Sequence, residues 1–117
     1  MQYMMMIFED EAIMNRAVGE AGFEAYMAPW VQYTEDLEKA GVMRGGNPLG
    51  QAHTASTVSV RDGKRMVQDG PFADTKEQLG GYYLIEVDDL DQALAWAEKC
   101  PAAVTGHVEV RPIADLG

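Results

Sequence analysis

Residues 3 to 8, YMMMIF, are apolar without a break, the pattern of a strand covered on both faces and the first predicted element. Further on, Phe23, Met27, Trp30, Val31, Thr34 and Leu37 recur at spacings of three and four. They predict a helix that stops at Gly41, just past Lys39 and Ala40. Pro29 falls inside that stripe, so either the helix begins near Ala28 or a bend joins two helical pieces. GGNPLG, residues 45 to 50, reads as a glycine-rich link. STVSVRDGKRMVQ alternates on either side of Asp62-Gly63, a dipeptide that supplies the positive φ angles of a two-residue hairpin turn. Two antiparallel strands are expected there.

GYYLIEV, residues 81 to 87, is rich in aromatic and β-branched side chains and predicts another strand. A second helix is expected from Asp88 or Asp89. Asp89 and Gln92 have capping-box spacing, Leu90, Ala93, Leu94 and Ala97 form its apolar stripe, and Pro101 prevents continuation. GHVEVRP, residues 106 to 112, alternates as a last strand. Strand, helix, several strands, helix, strand is the order of a split βαβ arrangement. It predicts one α+β domain spanning residues 1–117, with both helices on one face of an antiparallel sheet.

Alternation then assigns the two faces of that sheet. Val58, Val60, Tyr83, Ile85, Val87, Val108 and Val110 are expected to meet the helices. Thr57, Ser59, Arg61, Tyr82, Leu84, Glu86, His107, Glu109 and Arg111 are expected on the opposite side. This second face is too polar for a dry core and too rich in Tyr, Leu and Met for water. Pairing it with the same face of another copy resolves the conflict, which predicts a homodimer with a polar cleft between its sheets.

Composition narrows the class of ligand. The net charge is -10 and no window gathers Lys and Arg, so the electrostatic footprint of a nucleic-acid binder is missing. The apolar start has no basic flank, runs straight into Glu9, Asp10 and Glu11, and is too short to span a bilayer, so no membrane is involved and a cytoplasmic location is expected. A single cysteine, Cys100, rules out an internal disulfide; ahead of Pro101 it reads as a small apolar residue. Two histidines and one cysteine far apart in sequence give no metal or cofactor motif. A transition metal would need the fold to assemble His107, Glu109 and Glu86.

One stretch, DGPFADTKEQLGG at residues 69 to 81, is unusually specific. Asp69-Gly70-Pro71 closes a strand and Phe72 is expected as an apolar anchor. Asp74 and Glu77 have the spacing to cap the first turn of a short helix that Gly80 and Gly81 would end. With the following YYLIEVDDLDQALAWAEKCP and VEVRPI, and with YMMMIF and TVSVRDGK before it, the stretch resembles the DGPF group of the YCII-related proteins over nearly the whole chain.

The resemblance implies a ferredoxin-like α+β fold that dimerises into an α/β barrel. It also implies acid–base chemistry by a His–Asp pair whose histidine comes from the first helix. Asp69 stands on the motif's aspartate, but residues 20 to 40 contain no histidine. His107 is the substitute that the last strand offers, with Glu109 on the same side to raise its pKa and fix its tautomer. Asp69, His107 and Glu109 are therefore the candidate catalytic residues. Arg61, Tyr82, Glu86 and Arg111 are the candidate binding residues, the arginines suited to a small anionic molecule. Catalysis and simple binding both stay open. The alternative is a non-catalytic module docking on an extracytoplasmic-function sigma factor, beside whose genes relatives of this kind are encoded.

Overall fold

The computed structural model describes residues 1–14 and 22–117. Strand β1 (Gln2–Asp10) alternates strictly: Tyr3, Met5, Ile7 and Glu9 are buried, while Met4, Met6 and Phe8 are only half-buried. The unbroken apolar run is thus covered on one face, not two. A short helix α1 (Glu11–Met14) follows, and then α2 (Phe23–Lys39), which runs without interruption through Pro29. Gly41, in the left-handed region at φ 72°, ends it as its sequence position predicts.

Residues expected to be a link form strand β2 (Met43–Pro48), paired antiparallel with β5 (Glu77–Glu86). A single turn of 3-10 helix (Ala52–Thr54) leads to β3 (Ser56–Arg61) and β4 (Lys64–Asp69). Asp62 and Gly63 take positive φ between these two strands, the geometry for which the dipeptide is suited. Helices α3 (Leu90–Lys99) and α4 (Ala102–Thr105) precede β6 (His107–Pro112). Asp89 caps α3 by accepting from the Gln92 N–H at 3.0 Å, and the Gln92 side chain reaches back to the Asp88 N–H.

The main sheet has the order β2-β5-β1-β6 with every pairing antiparallel. Counting only its own strands, this is the ferredoxin-like order, and the protein is a mixed α+β structure. A core of Met5, Tyr33, Leu37, Ile85, Ala93, Ala97, Cys100 and Ala102 lies between this sheet and the helices. Burying a side chain the size of Met5 or Leu37 contributes about 1.5–3 kcal/mol. Tyr33 keeps its hydroxyl satisfied there by donating to the Trp96 carbonyl at 2.7 Å.

Strands β3 and β4 do not join that sheet. They form their own two-stranded ribbon, so Val58 and Val60 do not meet the helices; with Val67 they are between 53 and 59 % exposed. The ribbon is an arm. A radius of gyration of 16.1 Å and extents of 48 × 47 × 19 Å record it, since a compact chain of this length measures about 13 Å. The segment between the arm and β5 is not helical either. Thr75 Oγ1 donates to the Glu77 carbonyl and Gln78 Nε2 to the Ala73 and Thr75 carbonyls. Gly80 and Gly81 consequently lie inside β5 instead of ending a helix. Phe72 is 86 % exposed, so the expected anchor is not buried.

Candidate functional site

The sheet face away from the helices carries Tyr82, Glu86, His107, Glu109 and Arg111, as alternation requires. Each has a neighbour on that face. Tyr82 Oη accepts from Asn47 Nδ2 at 2.9 Å, and Glu86 meets Arg44 at 3.4 Å. Arg111 Nε lies 2.9 Å from Glu109 Oε2, so the carboxylate expected to serve His107 is engaged by the arginine instead. His107 Nδ1 stands 2.8 Å from Glu77 Oε1. A carboxylate from β5, two strands away on the same face, therefore favours the tautomer with the proton on Nδ1. His107 is 78 % exposed, and Met4, Met6, Phe8 and Leu84 lie half-buried among these groups.

Asp69 and Arg61 are elsewhere. Both sit on the arm, Arg61 beside its turn and paired in register with Lys64, Asp69 at its base opposite Ser56. Among the described residues, no hydrogen bond or ion pair joins either of them to His107, Glu109 or Arg111. One chain thus gathers five of the seven candidate residues on one face and leaves two apart.

The helix side of the sheet contains what the sequence reading missed. Gly46 and Gly81 fall on the helix-facing side of β2 and β5, where a side chain would otherwise rise toward α2. A Cβ at Gly46 would lie 2.9 Å from the Tyr82 carbonyl oxygen, and one at Gly81 would lie 2.9 Å from the Asn47 carbonyl oxygen. The two strands approach so closely only because neither position has a side chain. Above this bare floor α2 spans a pocket of about 530 Å³, with Met27, Trp30, Val31 and Thr34 on one wall and Tyr83 on the other.

Glu9 lines the same pocket and is 1 % exposed. Tyr26 Oη donates to its Oε1 at 2.6 Å, and Thr105 Oγ1 makes a short hydrogen bond to its Oε2. Elements at both ends of the chain thus converge on one buried carboxylate. Thr34 Oγ1 and Tyr83 Oη are bonded at 2.8 Å, and burial raises the Tyr83 pKa above its ordinary 10.0, against the opposing effect of Thr34. The phenol is accordingly a neutral group at physiological pH. A signal for Glu9 was present in the sequence: continuing the alternation Tyr3, Met5, Ile7 by one step places Glu9 beneath the helices.

The chain belongs to the YCII-related domain family, whose model matches residues 1–116. An uncharacterised protein of Rhizobium meliloti (strain 1021) is 35 % identical over 116 residues, covering 97 % of this chain and 93 % of that protein. Among solved structures, the chain is similar to 5-chloro-2-hydroxyhydroquinone dehydrochlorinase from Burkholderia phenoliruptrix AC1100 in complex with 2,5-dihydroxybenzoquinone. The TM-score is 0.50 and the identity 17 %, over 97 % of this chain and 94 % of the other. At that identity the likeness establishes a shared fold. No described helix is long and apolar enough to cross a membrane.

Proposed function

We propose that the protein is a homodimeric small-molecule-binding protein and that the pocket beneath α2 is its ligand seat. One observation carries this reading: a fully buried carboxylate, Glu9, lines a 530 Å³ cavity whose floor is two glycines. A cavity of this size, mostly apolar and with a few fixed polar groups, is the ordinary form of a small-ligand site. That the chlorinated-hydroquinone enzyme sharing this fold holds a quinone is consistent with a small cyclic ligand.

The homodimer is supported by two uncovered surfaces. The open sheet face carries Met4, Met6 and Phe8 among charged groups, and the arm carries Val58, Val60 and Val67 on one side. A two-stranded ribbon is marginal alone and needs something packed on its apolar face. Its tip holds Arg61, Lys64 and Arg65, three of the nine Lys and Arg of a chain with net charge -10, so a second copy offers the complementary sign. Sheets facing across a twofold axis would form the α/β barrel that the resemblance implies.

A second reading places acid–base chemistry in that intersheet cleft, with the His107–Glu77 pair as proton carrier. Asp69 and Arg61 would be brought to it by the neighbouring arm, Arg61 and Arg111 together receiving a small anion. The exposed arm also favours a non-catalytic interaction module that docks on a regulator such as a sigma factor.

A thermal-shift screen of small metabolites on the wild type and on Val31→Trp separates the first reading from the others. Val31 is exposed on α2 and lines the pocket, so tryptophan there fills the cavity without disturbing the core. Compounds that stabilise the wild type and not the variant support the pocket as the seat. Equal stabilisation of both proteins, or none of either, contradicts it.

A further inference from the structure

We propose that the pocket beneath α2 selects an amine with an apolar body, and that Glu9 is the counter-ion of its ammonium group. The inference rests on the reading of this pocket as a ligand seat and adds the class of ligand.

Among the described residues, charge around the cavity has one sign. Glu9, Glu35 and Glu38 line it, and among the described residues no Lys or Arg does. An anion entering there would meet three carboxylates, with no compensating charge among the described residues that line the cavity. Opposite sign at close range reverses that cost, most strongly beside the buried Glu9.

Among the described residues Glu9 has no counter-ion. Buried carboxylates are almost always paired with a cation, because desolvation otherwise penalises the charge. The donors that reach Glu9 are the Tyr26 and Thr105 hydroxyls, one on each oxygen, and among the described residues no Lys, Arg or His forms an ion pair with it. An ionised carboxylate has about four acceptor positions, so two hydroxyl donors leave room for an ammonium. The hydroxyls hold the group in place, and the ligand supplies the missing positive charge.

The walls favour the same ligand. Trp30, Tyr26 and Tyr83 are among the residues lining the cavity, and a cation close to an aromatic face is attracted by the ring quadrupole. Met27, Val31 and the glycine floor accept an apolar body of limited thickness. The Thr34–Tyr83 hydroxyl pair offers a neutral hydrogen-bonding point among the lining residues.

Three probes of nearly equal size decide the matter: phenethylamine, phenethyl alcohol and phenylacetate, titrated into the full-length protein near neutral pH and followed by Trp fluorescence and calorimetry. The expected result is that phenethylamine binds roughly tenfold or more tighter than the alcohol, as a charge-assisted hydrogen bond provides, and that phenylacetate does not bind. Glu9→Gln should erase the amine's advantage over the alcohol. Glu35→Gln with Glu38→Gln, on the exposed side of α2, should reduce it and make the remainder less salt-sensitive, which keeps the test meaningful if Glu9→Gln fails to fold. Alcohol or phenylacetate binding as well as the amine overturns the ligand class and leaves the pocket as a seat. Failure of all three to bind overturns the proposal; Val31→Trp-sensitive hits among other metabolites would then show that the pocket reading survives without it.

Discussion

Tyr26 Oη donates to Glu9 Oε1 across 2.6 Å, tying α2 to β1 at the pocket wall. Hydrogen bonds to a charged acceptor contribute about 1.5–3 kcal/mol. Tyr26→Phe should therefore lower the unfolding free energy by an amount in that range, read as a lower urea midpoint at an unchanged m-value. A shift below about 0.5 kcal/mol would mean that Glu9 is held without Tyr26.

The close approach of β2 to β5 makes Gly81 a sensitive position. A methyl at Gly81 would lie 2.9 Å from the Asn47 carbonyl oxygen and 3.3 Å from the Pro48 Cα, both backbone atoms of β2. Gly81→Ala should cost about 1–3 kcal/mol, the usual penalty for overpacking. In hydrogen exchange the amides of Met43–Pro48 should lose protection before those of β1. Unchanged protection in β2 would show that the strand has slack.

Alkaline pH should weaken the fold. Burial raises the Cys100 thiol from its ordinary 9.0 to about 11 and also raises the Tyr33 and Tyr83 phenols. Each of these groups keeps its proton longer when folded than when unfolded. Their stabilisation is complete below pH 9 and is lost as the unfolded chain ionises first and pH climbs through the folded values. Urea midpoints should hold steady from pH 7 to 9 and fall above it, and Cys100→Ala should reduce the fall between about pH 9 and 11. A midpoint that rises with pH in that window would contradict the burial of these groups.

His107 behaves differently. Its contact with Glu77 is at the surface, with the imidazole 78 % exposed, and exposed ion pairs contribute less than about 1 kcal/mol. His107→Ala should leave the melting temperature nearly unchanged. A large loss of stability would mean that this face is covered in solution more tightly than a wet cleft allows.

The proposed homodimer places the arm at its interface. Val58 and Val67 are directly opposite one another in the ribbon register, and both are exposed. Val58→Asp with Val67→Asp should convert the dimer to a folded monomer of 12.8 kDa in light scattering, because the main core lies in another sheet. An unchanged dimer would remove the arm from the interface.

The sequence revealed a strand or helix wherever local chemistry and tertiary position agreed. Gly41 ends α2, Asp89 caps α3, and Asp62-Gly63 turns the ribbon because each requirement is local to a few residues. β2 was hidden because Gly45, Gly46, Asn47 and Pro48 have little intrinsic preference for a strand; pairing with β5 makes them one. Alternation correctly separated the two sides of β5 and β6, yet it could not say that Val58 and Val60 belong to a different sheet, since a face has no partner written into it. Glu77 read as a helix cap and became the neighbour of His107. Glu9 reads as part of the acidic flank after the apolar run, and it is a buried residue of the pocket lining.

The claim on which the rest depends is that the space between α2 and the glycine floor is a ligand seat with Glu9 in its wall. A crystal structure of the protein grown with phenethylamine tests it most directly. The account predicts density for the probe between Trp30 and Gly81, its ammonium within hydrogen-bonding distance of a Glu9 oxygen. A pocket filled by the protein's own side chains, or a probe seated elsewhere, would contradict it.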